Sequence, residues 1–95
     1  MDLEFRGEII HWRGPAPFHF VAVPEEPSAA IEAVSSMVTY GWGCIPVEVR
    51  LGSTEFRTSL FPREDKYLVP IKAAVRRAER VDVGDHVTLR ITLDV

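Results

Sequence analysis

A single cysteine, Cys44, stands in a chain of 95 residues. It has no partner for an internal disulfide, which excludes a disulfide scaffold and fits a reducing cytoplasm better than an oxidising compartment. Set between Gly43 and Ile45, it reads as a small core residue rather than a nucleophile. Long hydrophobic runs are missing too: apolar stretches last a few residues, far short of the roughly 20 that cross a bilayer as a helix, so no membrane association is expected. The amino terminus alternates charge and lacks the apolar segment of a secretory leader, so none is expected. Basic charge is not in excess, since 11 Lys and Arg against 14 Asp and Glu give −3, and this excludes a strongly basic nucleic-acid coat. At this length the chain has room for one core, and a single domain over residues 1–95 is expected.

What is present describes a soluble globular chain, with 46% hydrophobic residues and a mean hydropathy near zero. Val87, Leu89, Ile91, Leu93 and Val95 alternate with polar residues, as do Ile45, Val47, Val49 and Leu51. Period two means half-buried strands. Pro46 has no N–H to donate, which places the start of the second of these at an edge or leaves it unpaired. Residues 3–12, 18–23, 55–61 and 67–69 are further strand candidates, and Gly52-Ser53-Thr54 reads as a hairpin turn.

Two segments carry helical spacing. Ile71, Ala74, Val75 and Ala78 form one apolar stripe, with Pro70 suited to the first helical turn and cations towards the carboxyl end. Residues 28–38 form a second stripe through Ile31, Val34 and Met37 or Val38, introduced by Pro24-Glu25-Glu26-Pro27.

The two stretches 1–52 and 53–95 repeat one order: strand, turn, strand, proline, helix, glycine, alternating strand. Glu4-Phe5-Arg6 echoes Glu55-Phe56-Arg57. A β-β-α-β unit used twice predicts a mainly β fold, a small closed or split barrel of about six strands with two short helices, in which each half completes the other's sheet and few edges stay exposed.

Two resemblances bear on this. Tyr67-Leu68-Val69-Pro70-Ile71-Lys72, a short helix, and Val83-Gly84-Asp85-His86-Val87 resemble the half-motif of AbrB-type swapped-hairpin barrels over about a third of the chain. Four stretches together resemble the bacterial domain-of-unknown-function 1905 family over nearly the whole chain: Trp12-Arg13-Gly14-Pro15-Ala16-Pro17-Phe18-His19-Phe20, Tyr40-Gly41-Trp42-Gly43, Thr58-Ser59-Leu60-Phe61-Pro62 and Leu68-Val69-Pro70-Ile71-Lys72. The second resemblance implies a small β-barrel related in topology to the AbrB type, with no established activity.

Chemistry concentrates in the aromatic, glycine-rich loops. Trp12, Arg13, His19, Tyr40 and Trp42 are the candidate ligand-binding residues, able to stack a planar or apolar ligand and anchor an anionic group through guanidinium. The plainer alternative is that Trp12 and Trp42 plug the ends of the barrel. His11, His19 and His86 occur singly, without the spacing of metal ligands, and the serines lie in no nucleophile-elbow context, so neither a metal nor a catalytic residue is assigned. Lys72, Arg76, Arg77 and Arg80 offer a nucleic-acid alternative, opposed by Glu79, Asp82 and Asp85 nearby and by a net charge of −4 over residues 1–35. The expectation is therefore a small-molecule or peptide-binding module, with nucleic-acid binding or a protein-interaction role as alternatives. No cofactor is expected, and the chain is expected to be a monomer or weak homodimer.

Overall fold

The computed structural model describes residues 1–12, 19–38, 44–64 and 66–94. Along the chain run β1 (Asp2–Glu8), β2 (Ile10–His11), β3 (His19–Ala22), α1 (Glu25–Val38), β4 (Ile45–Leu51), β5 (Thr54–Arg63), β6 (Lys66–Pro70), α2 (Ala73–Glu79) and β7 (His86–Leu93). The strands hydrogen-bond in the order β1-β7-β4-β5-β6-β3-β2, all antiparallel. The long β5 pairs with β4 through its first part and with β6 through its last, so it belongs to two sheets. On the other side the chain passes from β1 to β2 through Ile9 alone, which turns the curled sheet into a small split barrel. Among the described residues there are seven strands, or six when β1 and β2 are counted as the one strand that periodicity suggests.

Alternation decides which side chains face inward. Val47, Val49, Leu51, Leu89, Ile91 and Leu93 point inward from β4 and β7 and meet Val21 and Val69 from the other sheet. Ile31 of α1 and Val75 of α2 join the same core, α1 packing on β4 and β6 and α2 on β5. Full burial of each such aliphatic side chain is worth about 1.5–3 kcal/mol, so the barrel interior is the main source of stability.

The two halves share one hydrogen-bond register. Glu4-Phe5-Arg6 lies opposite Arg90-Leu89-Thr88, and Glu55-Phe56-Arg57 lies opposite Arg50-Val49-Glu48. Leu60 pairs with Ile45 and its neighbour Phe61 with Leu68, so β5 changes partner between them. Ile9, 51 positions before Leu60, donates its N–H to the Asp85 carbonyl at 2.9 Å, and its neighbour Ile10 pairs with Phe20. Both pivots, Ile9 and Leu60, are fully buried. The pairs Arg50 with Arg90 and Val21 with Val69 map onto themselves under this repeat, and so mark a pseudo-twofold axis through the barrel.

Two local expectations change. Helix α1 begins at Glu25 rather than at Ser28, because Pro27 falls among the first residues, whose N–H groups have no intrahelical partner. The Ser28 hydroxyl then donates to the Val23 carbonyl at 3.0 Å and closes the turn into the helix. Pro70 ends β6, paired with Phe20, instead of opening α2; the Ile71 N–H is taken by the His19 carbonyl at 2.9 Å, which keeps the chain extended until Lys72. At Pro46 the second alternative holds: β4 is a central strand, but its start is unpaired on the β7 side, where the ladder begins at Val47. Gly52 turns the β4–β5 hairpin at φ +61°, as its sequence context predicts.

Candidate functional site

Strands β2, β3, β6 and the end of β5 carry an apolar outer face. Ile10 pairs with Phe20 and Phe61 with Leu68, and alternation sends these four away from Val21 and Val69. Phe20 and Leu68 are nonetheless only 8% and 5% exposed while standing outside the main core cluster. Trp12 covers part of them, its ring edge-on to Phe20 with centroids 6.4 Å apart. The Arg63 guanidinium lies over the Trp12 ring, 3.7 Å from its centroid. The result is a groove of about 290 Å³ with Ile10, Trp12, Phe20 and Leu68 as its apolar surface. Arg63, Lys66, Glu64 and His11 are its polar members.

Chemically the groove offers a flat electron-rich ring, an apolar floor and two cations on adjacent strands, Arg63 opposite Lys66. A guanidinium stacked on indole is a cation–π contact, and the same guanidinium retains donors for a carboxylate or phosphate. Ile10 is 41% exposed, so the floor reaches solvent without needing a conformational opening.

The sequence candidates distribute unevenly. Trp12 lines the groove. His19 alternates to the opposite side of β3 from Phe20, and its ring stands 4.7 Å from that of His11, its direct cross-strand partner. Burial, reinforced by the Arg76 guanidinium and His11, holds the His19 imidazole below its ordinary pKa. Arg13, Tyr40 and Trp42 lie outside the described residues. Arg63, Phe20 and Leu68 were not singled out from sequence; only the register of β5, β6 and β3 brings them beside Trp12.

The four cations of the nucleic-acid alternative are partly occupied. Lys72 donates through Nζ to the Arg57 carbonyl at 2.9 Å. Arg76 is mostly buried, its Nη1 donating to the Ile71 carbonyl at 2.6 Å and its Nε standing 3.8 Å from Asp82. Arg77 and Arg80 are exposed, and Arg80 ends α2 in the left-handed conformation, its N–H donating back to the Arg76 and Arg77 carbonyls.

A larger concavity, about 350 Å³, lies on the charged outer face of β4, β5 and β7 around Arg50, Arg57 and Arg90. Its arginines already face acids, Arg50 with Glu55 at 3.8 Å, Arg57 with Glu48 at 3.8 Å and Arg90 with Asp2 at 3.5 Å. Six of the eight residues that line it are charged or hydroxyl-bearing, with Val49 and Phe56 the apolar members, so the more apolar Trp12 groove is the better candidate despite its smaller volume. Cys44 is half-buried just before β4. Among the described residues no group of three or more His, Cys, Asp or Glu could hold a metal ion, and no helix is long and apolar enough to cross a membrane.

No match to this chain is found among the curated proteins. The family model described as a domain of unknown function, DUF1905, matches residues 5–91, from the inward Phe5 of β1 to Ile91 of β7 and so across both halves of the barrel. The chain belongs to the DUF1905 family.

Proposed function

We propose that this chain is a binding module whose site is the Trp12 groove, and that its ligand is a small planar molecule carrying an anionic group. The observation that carries the reading is the Arg63 guanidinium stacked on Trp12 above the buried pair Phe20 and Leu68. A flat ring has an aromatic face and an apolar floor to cover, and its carboxylate or phosphate has Arg63 and Lys66 to pair with. Arg13, Tyr40 and Trp42 belong to the proposal on their chemistry alone. The lone thiol of Cys44 supports a reducing, cytoplasmic setting for such a module. Thermal-shift and tryptophan-fluorescence screening against aromatic carboxylates and nucleoside monophosphates tests the reading. A ligand should raise the melting temperature and change Trp12 emission, and Arg63→Ala should remove both effects; a screen with no hit, or a hit indifferent to Arg63→Ala and Trp12→Phe, overturns it.

A further inference from the structure

The outer face of β1, β7, β4 and β5 is charged, and its charges are ordered. Read across the register, one row runs Glu4, Arg90, Arg50, Glu55, all four exposed. The two arginines are direct cross-strand partners on the inner strands, and the acids stand on the outer ones. The repeat interval of 51 positions carries Glu4 onto Glu55, so the row reads the same from either end, and the pseudo-twofold axis passes between Arg50 and Arg90.

Like charges directly opposite each other on a sheet are destabilising, and this pair sits at the centre of its row. The flanking acids offset it only loosely. Arg50 Nη1 stands 3.8 Å from Glu55 and Arg90 Nη2 stands 3.5 Å from Asp2, longer than the roughly 2.7–2.9 Å of a charge-assisted hydrogen bond. Exposed pairs of this kind contribute little, so each guanidinium keeps donors to offer. The neighbouring polar groups are engaged elsewhere: Glu48 stands 3.8 Å from Arg57, and the Thr92 hydroxyl donates to the Asp2 carboxylate. Around the pair lies the concavity of about 350 Å³, lined by three arginines against two glutamates.

We propose that Arg50 and Arg90 form a binding site for a phosphate group, seated between the two guanidiniums. Charge selects phosphate over carboxylate: near pH 7 a phosphate monoester carries about −1.5 to −2, enough to neutralise both arginines, whereas one carboxylate leaves the pair still repelling. Its tetrahedral oxygens suit two planar forks approaching from adjacent strands. The concavity has room beyond the anion for an organic remainder. This site is separate from the Trp12 groove, and neither proposal depends on the other.

Nitrogen–proton NMR of the whole chain at low ionic strength, with inorganic phosphate, glycerol phosphate and acetate titrated in turn, tests the site. Both phosphates should shift the Arg50, Arg90 and Thr92 amides saturably and bind more tightly than acetate. Losing one charge-assisted fork should weaken phosphate about tenfold or more in Arg50→Gln and likewise in Arg90→Gln, while Glu55→Gln, which frees Arg50, should tighten it. Arg77→Gln removes the same charge from α2 and should leave binding unchanged. All four side chains are exposed, so the variants should fold, which unchanged amide signals from the core strands verify. Flotation with phosphatidylcholine vesicles, with and without phosphatidic acid, locates the source of the phosphate. Retention that requires phosphatidic acid and Arg50 assigns it to a lipid headgroup, and no retention assigns it to a soluble monoester. Phosphate that binds no better than acetate, that weakens as much in Arg77→Gln as in Arg50→Gln, or that gives no saturable shift on this face overturns the site.

Discussion

Arg63 stacks on Trp12 at 3.7 Å, and the two residues are 51 positions apart, the same interval that separates Phe5 from Phe56 and the pivot Ile9 from the pivot Leu60. The repeat therefore places an indole and a guanidinium at equivalent ends of two half-barrels, and the pseudo-twofold axis through Val21 and Val69 lies between them. The groove is a product of the symmetry at the level of the backbone and of its breaking at the level of the side chain.

Removing the cation tests this contact first. Arg63→Ala should lower stability by about 0.5–1 kcal/mol, the worth of a partly exposed cation–π pair, and shift tryptophan emission. Arg63→Lys should recover only part of either effect, because ammonium lacks the flat face of guanidinium. Urea denaturation followed by fluorescence measures both, and an Arg63→Ala variant with unchanged stability and emission contradicts the geometry.

The pivots should be equally sensitive. Ile9→Ala and Leu60→Ala each delete a fully buried side chain at the point where a strand changes sheets, and each should cost about 2–5 kcal/mol in chemical denaturation. A cost below 1 kcal/mol at Ile9 with a large one at Leu60 would show that the β1–β2 passage does not close the barrel as β5 does.

The close approach of β1 to β3 gives a third test. A Cβ at Gly7 would lie 2.6 Å from Val21 Cγ1, too near for any side chain without movement. Gly7→Ala should destabilise by about 1–3 kcal/mol, and Val21→Ala in the same chain should relieve part of that cost, a coupling that a double-mutant cycle reads directly.

Acid should loosen the other end of the barrel through Glu79. This carboxylate, on the last turn of α2, accepts from the hydroxyls of Thr54 and Ser53 in the β4–β5 hairpin. The Thr54 hydrogen bond leads the contributions that hold its pKa below the ordinary value of 4.5. A depressed carboxylate contributes stability above its unfolded pKa and loses it as pH falls through the folded one. Stability measured by denaturation should therefore fall on acidification below about pH 4.5, with a smaller loss in Glu79→Gln; identical acid profiles for the two proteins contradict the assignment.

Much of the barrel is legible in the sequence because period-two alternation in 45–51 and 86–93 has one physical cause, a sheet with a buried face and a wet one. The passage at Ile9 is not legible, since alternation continues unbroken while the hydrogen-bond partner changes from β7 to β3. Pro70 misleads for a related reason: its fixed φ suits a strand end as well as a helix start, and the choice depends on the His19 carbonyl, a partner 52 positions before Ile71. Trp12 stands out by residue type, whereas Phe20, Leu68 and Arg63 look like ordinary strand residues until three strands are set in register. The His11–His19 rung is hidden for the same reason.

The central claim is that the outer face of β2, β3, β6 and β5 binds a planar anion, and chemical-shift mapping tests it most directly. Aromatic carboxylates and nucleoside monophosphates titrated into labelled protein should shift the Trp12 indole and the amides of Phe20, Arg63 and Leu68 together, saturably, with the response lost in Arg63→Ala. Saturable shifts confined to the charged face around Arg50 and Arg90, or no saturable shift at Trp12 with any of these ligands, would contradict it.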